Sequence, residues 1–302
     1  MTTHAINLFL SRSHTSTATN KTGTWRFMRP VYNEKTAPCR AACPIGVDIA
    51  NVQRLAATGK YAAAGEQLLN ENPFPAICGY VCFHPCETVC HRAGFDQAIA
   101  INRIERFVGH HLIETNGHVP YPGVDKRALN VAIVGAGPAG LAAAYFLRML
   151  GFRCDLYEAQ NEPGGLLRWA IPGYRLPLNV LQTELRRIGQ AGVAIHCGEK
   201  IDEITRTQFL DRYDAVFIGC GHAHSLALSI PGAMAAIDGL AFLKQMRTAP
   251  IDSMQGRAAV IGGGNSAIDV ARSLSRLGVD VEIIYRRRRQ DMPAFAQEVE
   301  QA

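Results

Sequence analysis

Charge is scarce in this chain, and long apolar runs are missing. Asp, Glu, Lys and Arg make up 19% of the 302 residues and the formal net charge is +5, too mild to point to nucleic acid. The one apolar run near the start, Ile6 to Leu10, is too short for a signal-peptide core or a membrane span. Arg12 and Arg26 are the only arginines among residues 1–28, which disfavours a transit peptide. Also missing are the C-x2-C knuckles of zinc sites, a Ser/His/Asp or Cys/His nucleophile set, a zinc-protease helix and a paired-carboxylate motif. His222 and His224 in CGHAHS are read as loop residues rather than acid–base groups. A cytosolic protein is expected, with no membrane and no nucleic acid as partner.

Cysteine is plentiful. Six of the nine lie between Cys39 and Cys90, and in CGYVCFHPCETVC the residues Cys78, Cys82, Cys86 and Cys90 recur every fourth position. Disulfides do not suit a reducing compartment. Iron–sulfur ligation by thiolates is favoured, since Cys43 is followed by proline as the last cysteine of such motifs often is; zinc and inert thiols are the alternatives. Pro85 opposes one continuous helix through the four cysteines. Cys154, Cys197 and Cys220 lie in or beside apolar strands and read as small buried hydrophobes.

Four segments are expected: a flexible lead-in over residues 1–28, a helical cysteine-rich domain over 29–120, an FAD-binding domain over 121–250 and an NAD(P)-binding part over 251–302. In the second, DIANVQRLAATGKYAAAGEQLLNENP reads as a helical hairpin with Asp48 as N-cap, a break at Gly59 and an end at Asn72-Pro73. A further helix is expected from near Ala98, and Asn116 to Gly123 has linker composition. From Asn130 strand and helix alternate, which predicts a parallel sheet.

NVAIV, a Gly-rich turn, the helix PAGLAAAYFLRML and the strand CDLYE form one nucleotide-binding unit. Its turn is Gly135, Ala136, Gly137, Pro138, Ala139 and Gly140, and Glu158 follows 18 residues later. The glycines permit a tight turn, close approach of a pyrophosphate and helix–strand packing, and Glu158 can accept from ribose hydroxyls. A second unit runs through Gly262, Gly263, Gly264, Asn265, Ser266 and Ala267 to a strand that ends in Tyr285 and Arg286 to Arg289. Arginine there in place of an acid favours NADP(H) over NAD(H); a solvated loop accounts for one or two of the four.

Together these residues resemble the small subunit of glutamate synthase and its relatives, which include the N-terminal half of dihydropyrimidine dehydrogenase and the sulfite-reductase-associated flavoprotein of sulfur oxidisers. The motifs are Cys39-x3-Cys43-Pro44, NPFPAICGYVCFHPCETVC, GAGPAG, EPGGLLRWAIPGYRLP, GGGNSAIDVAR and YRRRRQDMPA. The resemblance implies a helical domain with 4Fe-4S clusters, then Rossmann-like FAD and NAD(P) domains, and electron flow between NAD(P)H, FAD, the clusters and a partner subunit. It implies FAD contacts at Gly135 to Gly140, Glu158, Gly165, Leu166, Arg175 and the Ile201 backbone, with a surface salt bridge as the alternative for Arg175, and NADP(H) contacts at Gly262, Gly264, Asn265, Ser266, Ala267, Arg286 and Arg287. One cluster would use Cys43, Cys82, Cys86 and Glu105, with a capping or ion-pairing role as the alternative for Glu105. A second would use Cys39 and Cys90, with Cys78 as a candidate third ligand. The family carries two further cysteines where Tyr32, Asn33 and Glu34 stand, so one cluster is the expected count and two the upper bound. The chain stops at Ala302, inside the expected NADP(H) domain, so a truncated product is expected. A non-catalytic electron-transfer or binding module, in sulfur metabolism for instance, is the alternative function.

Overall fold

The computed structural model describes residues 35–117, 129–222 and 230–302, with the backbone alone for 203–207. Residues 1–34, most of the expected linker and His224 lie outside the described residues. The cysteine-rich segment is helical: α1 (Pro38–Ala42), α2 (Ile49–Ala57), α3 (Tyr61–Leu69), α4 (Pro75–Val81), α5 (Pro85–Thr88) and α6 (Ile101–Glu114). The hairpin forms as its caps dictate. Asp48 accepts from Asn51 N, and Gly59 turns the chain with φ +74°. Pro85 separates α4 from α5, so the cysteines sit on two helices and the turns around them. Helix α6 begins three residues later than Ala98, because the Glu87 side chain accepts from Asn102 N at 2.9 Å and caps it there. Helices α4 and α6 pack closely on glycine: a Cβ at Gly109 would lie 2.5 Å from Ala76 N.

The first α/β unit contains β1 (Asn130–Val134), α7 (Pro138–Met149), β2 (Arg153–Glu158), α8 (Leu166–Trp169), α9 (Leu178–Gln190), β3 (Ala194–Cys197), α10 (Glu203–Arg212) and β4 (Ala215–Ile218). Its four strands are parallel in the order β3-β2-β1-β4. One face buries Ile133 and Leu156 against Leu141, Leu181 and Ile188. The other buries Ala132 and Tyr157 under Phe209 and Tyr213. Strand β4 forms an edge, with Phe217 and Ile218 exposed. One expectation is corrected: Cys220 just beyond β4 is exposed and Cys197, on β3 at the sheet's other end, is half-buried, while Cys154 is buried.

The second unit contains α11 (Gly239–Thr248), β5 (Arg257–Ile261), α12 (Asn265–Arg276), β6 (Asp280–Ile284) and α13 (Ala296–Glu300). Strands β5 and β6 pair in parallel as a separate sheet. Leu243 of α11 packs in this unit's core with Val260, Val270, Leu274 and Val279.

The helical segment is joined to the first α/β unit by two buried hydrogen-bond sites. Helix α4 has no side-chain cap of its own at Phe74, and its first free N–H groups need acceptors. Glu184 of α9 supplies them: Oε1 accepts from Ala76 N at 2.9 Å and Oε2 from Ile77 N at 3.0 Å. The carboxylate has no exposure, and Arg187 stands 3.4 Å away. Nearby, the fully buried Tyr145 hydroxyl of α7 donates to Leu69 O at 2.8 Å.

Replacing Glu184 by Ala leaves two buried donors without acceptors. The expected loss is about 2–5 kcal/mol in denaturant unfolding, and Glu184→Gln, which keeps one acceptor, should lose less. Burial also pushes the Glu184 carboxyl up from 4.5 to about 7. The folded state therefore holds a proton that the unfolded chain releases from about pH 4.5 upward. Stability should fall as pH rises from 4.5 to about 7, and Glu184→Gln should remove that part of the slope in unfolding curves taken across this range.

Candidate functional site

The first glycine loop is shaped by backbone contacts that exclude side chains. Gly135 has φ +99°, donates to Tyr157 O at 2.7 Å, and sits where a Cβ would lie 2.5 Å from Gly219 O. A Cβ at Gly140 would overlap the Gly135 carbonyl oxygen. Pro138 occupies the first turn of α7, where its missing N–H costs nothing. The EPGG segment comes to this loop: Gly164 N donates to Ala136 O at 2.8 Å, and a Cβ at Gly165 would stand 2.7 Å from Gly137 Cα. Gly137 itself faces open space apart from Gly165. The residues expected to contact FAD from two separate motifs thus form one backbone cradle, with Leu166 exposed beside it.

Glu158 lies at the end of β2 and is almost fully buried. Its Oε2 accepts from Ala136 N at 2.8 Å and its Oε1 from Gln160 N at 2.9 Å, so it braces the loop from below. Ile201 packs against the Tyr157 cluster. With Val134, Phe209, Val216, Ile218 and Cys220 it lines a cavity of about 260 Å³.

In the second unit Gly262 has φ +136° and donates to Ile284 O at 2.9 Å. Ala267 stands where the first loop has Gly140, and a Cβ built on Gly262 would meet its Cβ tightly, at 3.3 Å. Gly264 faces open space and Ser266 is exposed. Asn265 holds the following segment, accepting from Phe295 N at 3.0 Å. The arginine run divides. Arg288 pairs with Asp291 and Arg289 donates to Val299 O. Arg286 and Arg287 are exposed and have no ion pair or hydrogen bond among the described residues.

Arg175, expected to donate to a cofactor, is committed elsewhere. Its Nη1 lies 2.7 Å from Asp269 Oδ2 and its Nε 3.1 Å from Glu298 Oε1, with the side chain 9% exposed. Arg272 also pairs with Glu298, and Tyr174 donates to Asp269 O. The reason is packing: α12 and α13 present two carboxylates to the loop that carries Arg175, so the arginine joins the two α/β units.

The six clustered cysteines sort by their neighbours. Burial pushes the Cys86 thiol up to about 12, helped by Cys82, Glu87, Cys43 and Glu105. Burial raises Cys82, against the lowering effect of the His84 N–H, with Glu105 and Cys43 acting on it as well. Burial likewise raises Cys39, on which Cys90 acts. Cys43, Cys82, Cys86 and Glu105 thus lie near one another, as do Cys39 and Cys90, and Cys39, Cys43 and Cys86 border one apolar core. Cys78 is raised by burial and by Glu105, Glu184 and Cys82. Glu105 is pushed up to about 7 by burial and accepts from Asn72 Nδ2 at 2.8 Å.

This donor set fits an iron–sulfur cluster. All nine cysteines are free, and the half-buried Cys82 and buried Cys86 thiols become thiolates readily only with a metal cation beside them. His84 adds a buried Nδ1 with no partner. Among the described residues no three His, Cys, Asp or Glu side chains close on a single ion; a multi-iron cluster bridges thiolates held further apart.

Glu184 and His84 were not apparent from the motifs. Glu184 had a signal, because it falls on the apolar stripe Val180, Leu181, Leu185 and Ile188 of α9, where an unpaired charge is unfavourable. His84 had none, since proline at the next position argues for extended backbone. Serine at Cys43, Cys82 or Cys86 is expected to reduce bound iron and sulfide at least severalfold and to remove the broad visible absorbance. Cys197→Ser should leave all three unchanged, as read by iron and sulfide analysis of purified protein.

Comparison with known proteins follows the same division. Residues 28–117 match the family model for dihydropyrimidine dehydrogenase domain II, 4Fe-4S cluster, and residues 129–302 that for pyridine nucleotide-disulphide oxidoreductase. The beta subunit of NADP(+)-dependent formate dehydrogenase from Moorella thermoacetica is 36% identical over 88% of this chain and 42% of its own. The beta subunit of NADPH-Fe(3+) oxidoreductase from Geobacter sulfurreducens is 34% identical over 88% and 41%. The NAD-dependent dihydropyrimidine dehydrogenase subunit PreT of Salmonella typhimurium is 36% identical over 87% and 65%. The chain thus spans about two fifths of the length of the first two. FprA of Mycobacterium tuberculosis in complex with NADPH shares the fold, with a TM-score of 0.51 at 23% identity over 58% of this chain and 47% of that one. No helix among the described residues is long and apolar enough to cross a membrane. The chain belongs to the pyridine nucleotide-disulphide oxidoreductase family, here preceded by a segment of the dihydropyrimidine dehydrogenase 4Fe-4S type.

Proposed function

We propose that this chain is the electron-transferring part of an NAD(P)H-dependent iron–sulfur flavoprotein that exchanges electrons with a partner subunit. The observation that carries the reading is the buried join between donor sets. The helix bearing Cys78 and leading to Cys82 starts on Glu184 of the flavin-type unit, so cysteines and glycine cradle belong to one body. FAD, when bound, accepts a hydride and releases electrons singly, which is the exchange a nucleotide and a cluster require between them.

The residues divide that work. The open backbone at Gly137 and the N-terminus of α7 suit a pyrophosphate. Glu158 fixes the loop by holding Ala136 N, with a ribose as its further partner. The free guanidiniums of Arg286 and Arg287 suit a 2′-phosphate, which favours NADP(H) over NAD(H). Arg175, through Asp269 and Glu298, keeps the nucleotide unit against the flavin unit. Cys43, Cys82 and Cys86 with Glu105 would hold one 4Fe-4S cluster, and Cys39 with Cys90 would contribute to a second. A reducing, cytoplasmic location suits thiolate ligands of this kind.

The test is anaerobic addition of NADPH to the purified chain, with flavin, iron and sulfide quantified beforehand. Flavin bands over a broad brown absorbance, bleached by NADPH, are expected; a colourless protein contradicts the proposal. Arg286→Ala and Arg287→Ala are each expected to weaken NADPH binding about ten- to a hundredfold, from about 1.5–3 kcal/mol for a charge-assisted contact. NADH binding should change far less. Equal losses for both nucleotides would refute the assignment of these arginines.

A further inference from the structure

The second glycine loop lacks the brace that Glu158 gives the first, because β6 leads into Tyr285 and arginines rather than an acid. A different segment supplies it. Ala294 N donates to Gly263 O at 3.1 Å, and Phe295 N donates to Asn265 Oδ1 at 3.0 Å. The two bonds stand on either side of Gly264, which faces open space at the N-terminus of α12. Residues 294–295 thus hold the backbone that suits a pyrophosphate.

This segment is itself held from outside its own unit. Glu298 of α13 pairs with Arg272 and with Arg175 of the flavin-type unit. At the start of α13 the Phe295 ring stacks on Phe83 of the cysteine segment, with centroids 5.6 Å apart and planes 23° from parallel. Phe83 follows Cys82 and is 53% exposed, so it is no core residue.

We propose that Phe83 is a positioning residue for the nucleotide site: its ring holds Phe295, and with it the two backbone bonds that set the Gly263–Asn265 loop. This rests on the NADP(H) reading above. A loop held in place before binding loses less freedom when the nucleotide arrives, so affinity is higher. Without the Phe83 ring, residues 294–295 loosen and the nucleotide must order the loop itself. An aromatic stack of this kind corresponds to about a two- to tenfold difference in affinity.

The test is calorimetric titration of the full chain with NADP+, without reductant, with flavin, iron and sulfide quantified beforehand. Phe83→Ala should weaken NADP+ binding about two- to tenfold, and Phe83→Tyr, which keeps the ring, should bind as the wild type does. The double variant Phe83→Ala with Phe295→Ala should bind no more weakly than Phe295→Ala alone, because both remove the same contact. Wild-type affinity in Phe83→Ala overturns the proposal, as do losses that add in the double variant. Should Phe83→Ala lose iron and sulfide, hydrogen exchange decides. By reciprocity NADP+ should slow exchange in peptides containing Phe83 in the wild type and not in Phe295→Ala. Exchange there that NADP+ leaves unchanged in the wild type overturns the proposal. A wild-type chain that binds no NADP+ refutes the NADP(H) reading itself and the proposal with it.

Discussion

A single buried carboxylate holds the two halves of this protein in register. Helix α4 is seven residues long and carries no cap of its own, so its first N–H groups would be unsatisfied in the interior. Glu184 reaches across from the flavin-type unit and accepts from two of them. The helix dipole adds a positive end beside that carboxylate. Desolvation works against the charge, which is why the group titrates near 7 rather than near 4.5. The join thus depends on geometry: two short bonds and the neighbouring Arg187 offset the loss of water.

From this join the other parts take their places. Helix α4 packs on α6 through Gly79 and Gly109, which fixes Glu105 relative to Cys78 and Cys82. Tyr145 ties α7, the helix opened by the glycine loop, to the end of α3. On the far side, Arg175 bridges to Asp269 and Glu298. Both bridging groups are buried and ionisable. Such groups add little net stability over apolar packing but penalise any arrangement that separates them. They specify which surfaces meet, and that suits a protein whose cofactors must lie at fixed separations.

Much of this was legible in the sequence because it is local. GAGPAG after NVAIV, Asp48 ahead of an apolar repeat, and Pro85 between Cys82 and Cys86 each act through residues a few positions away. The two strand–loop–helix–strand units followed from them. What could not be read is set by long-range packing. Glu184 meets partners 107 and 108 residues away, and Arg175 meets Asp269 across 94. The sequence pattern shows that Arg175 is a donor, not which acceptor it finds. The exposure of Cys220 follows from the place of β4 at a sheet edge, which strand order alone decides. The sorting of the cysteines rests on the family resemblance; the structure adds only that Cys43 and Glu105 act on Cys82 and Cys86, and Cys90 on Cys39.

The central claim is that Glu184 makes the cysteine helix part of the flavin-type body, as the electron transfer proposed between them requires. Rapid-freeze EPR after mixing with NADPH measures this directly, comparing wild type with Glu184→Ala at matched flavin and iron content. The account predicts that the reduced-cluster signal follows flavin reduction promptly in the wild type and lags it in the variant. Identical time courses in the two proteins would contradict it.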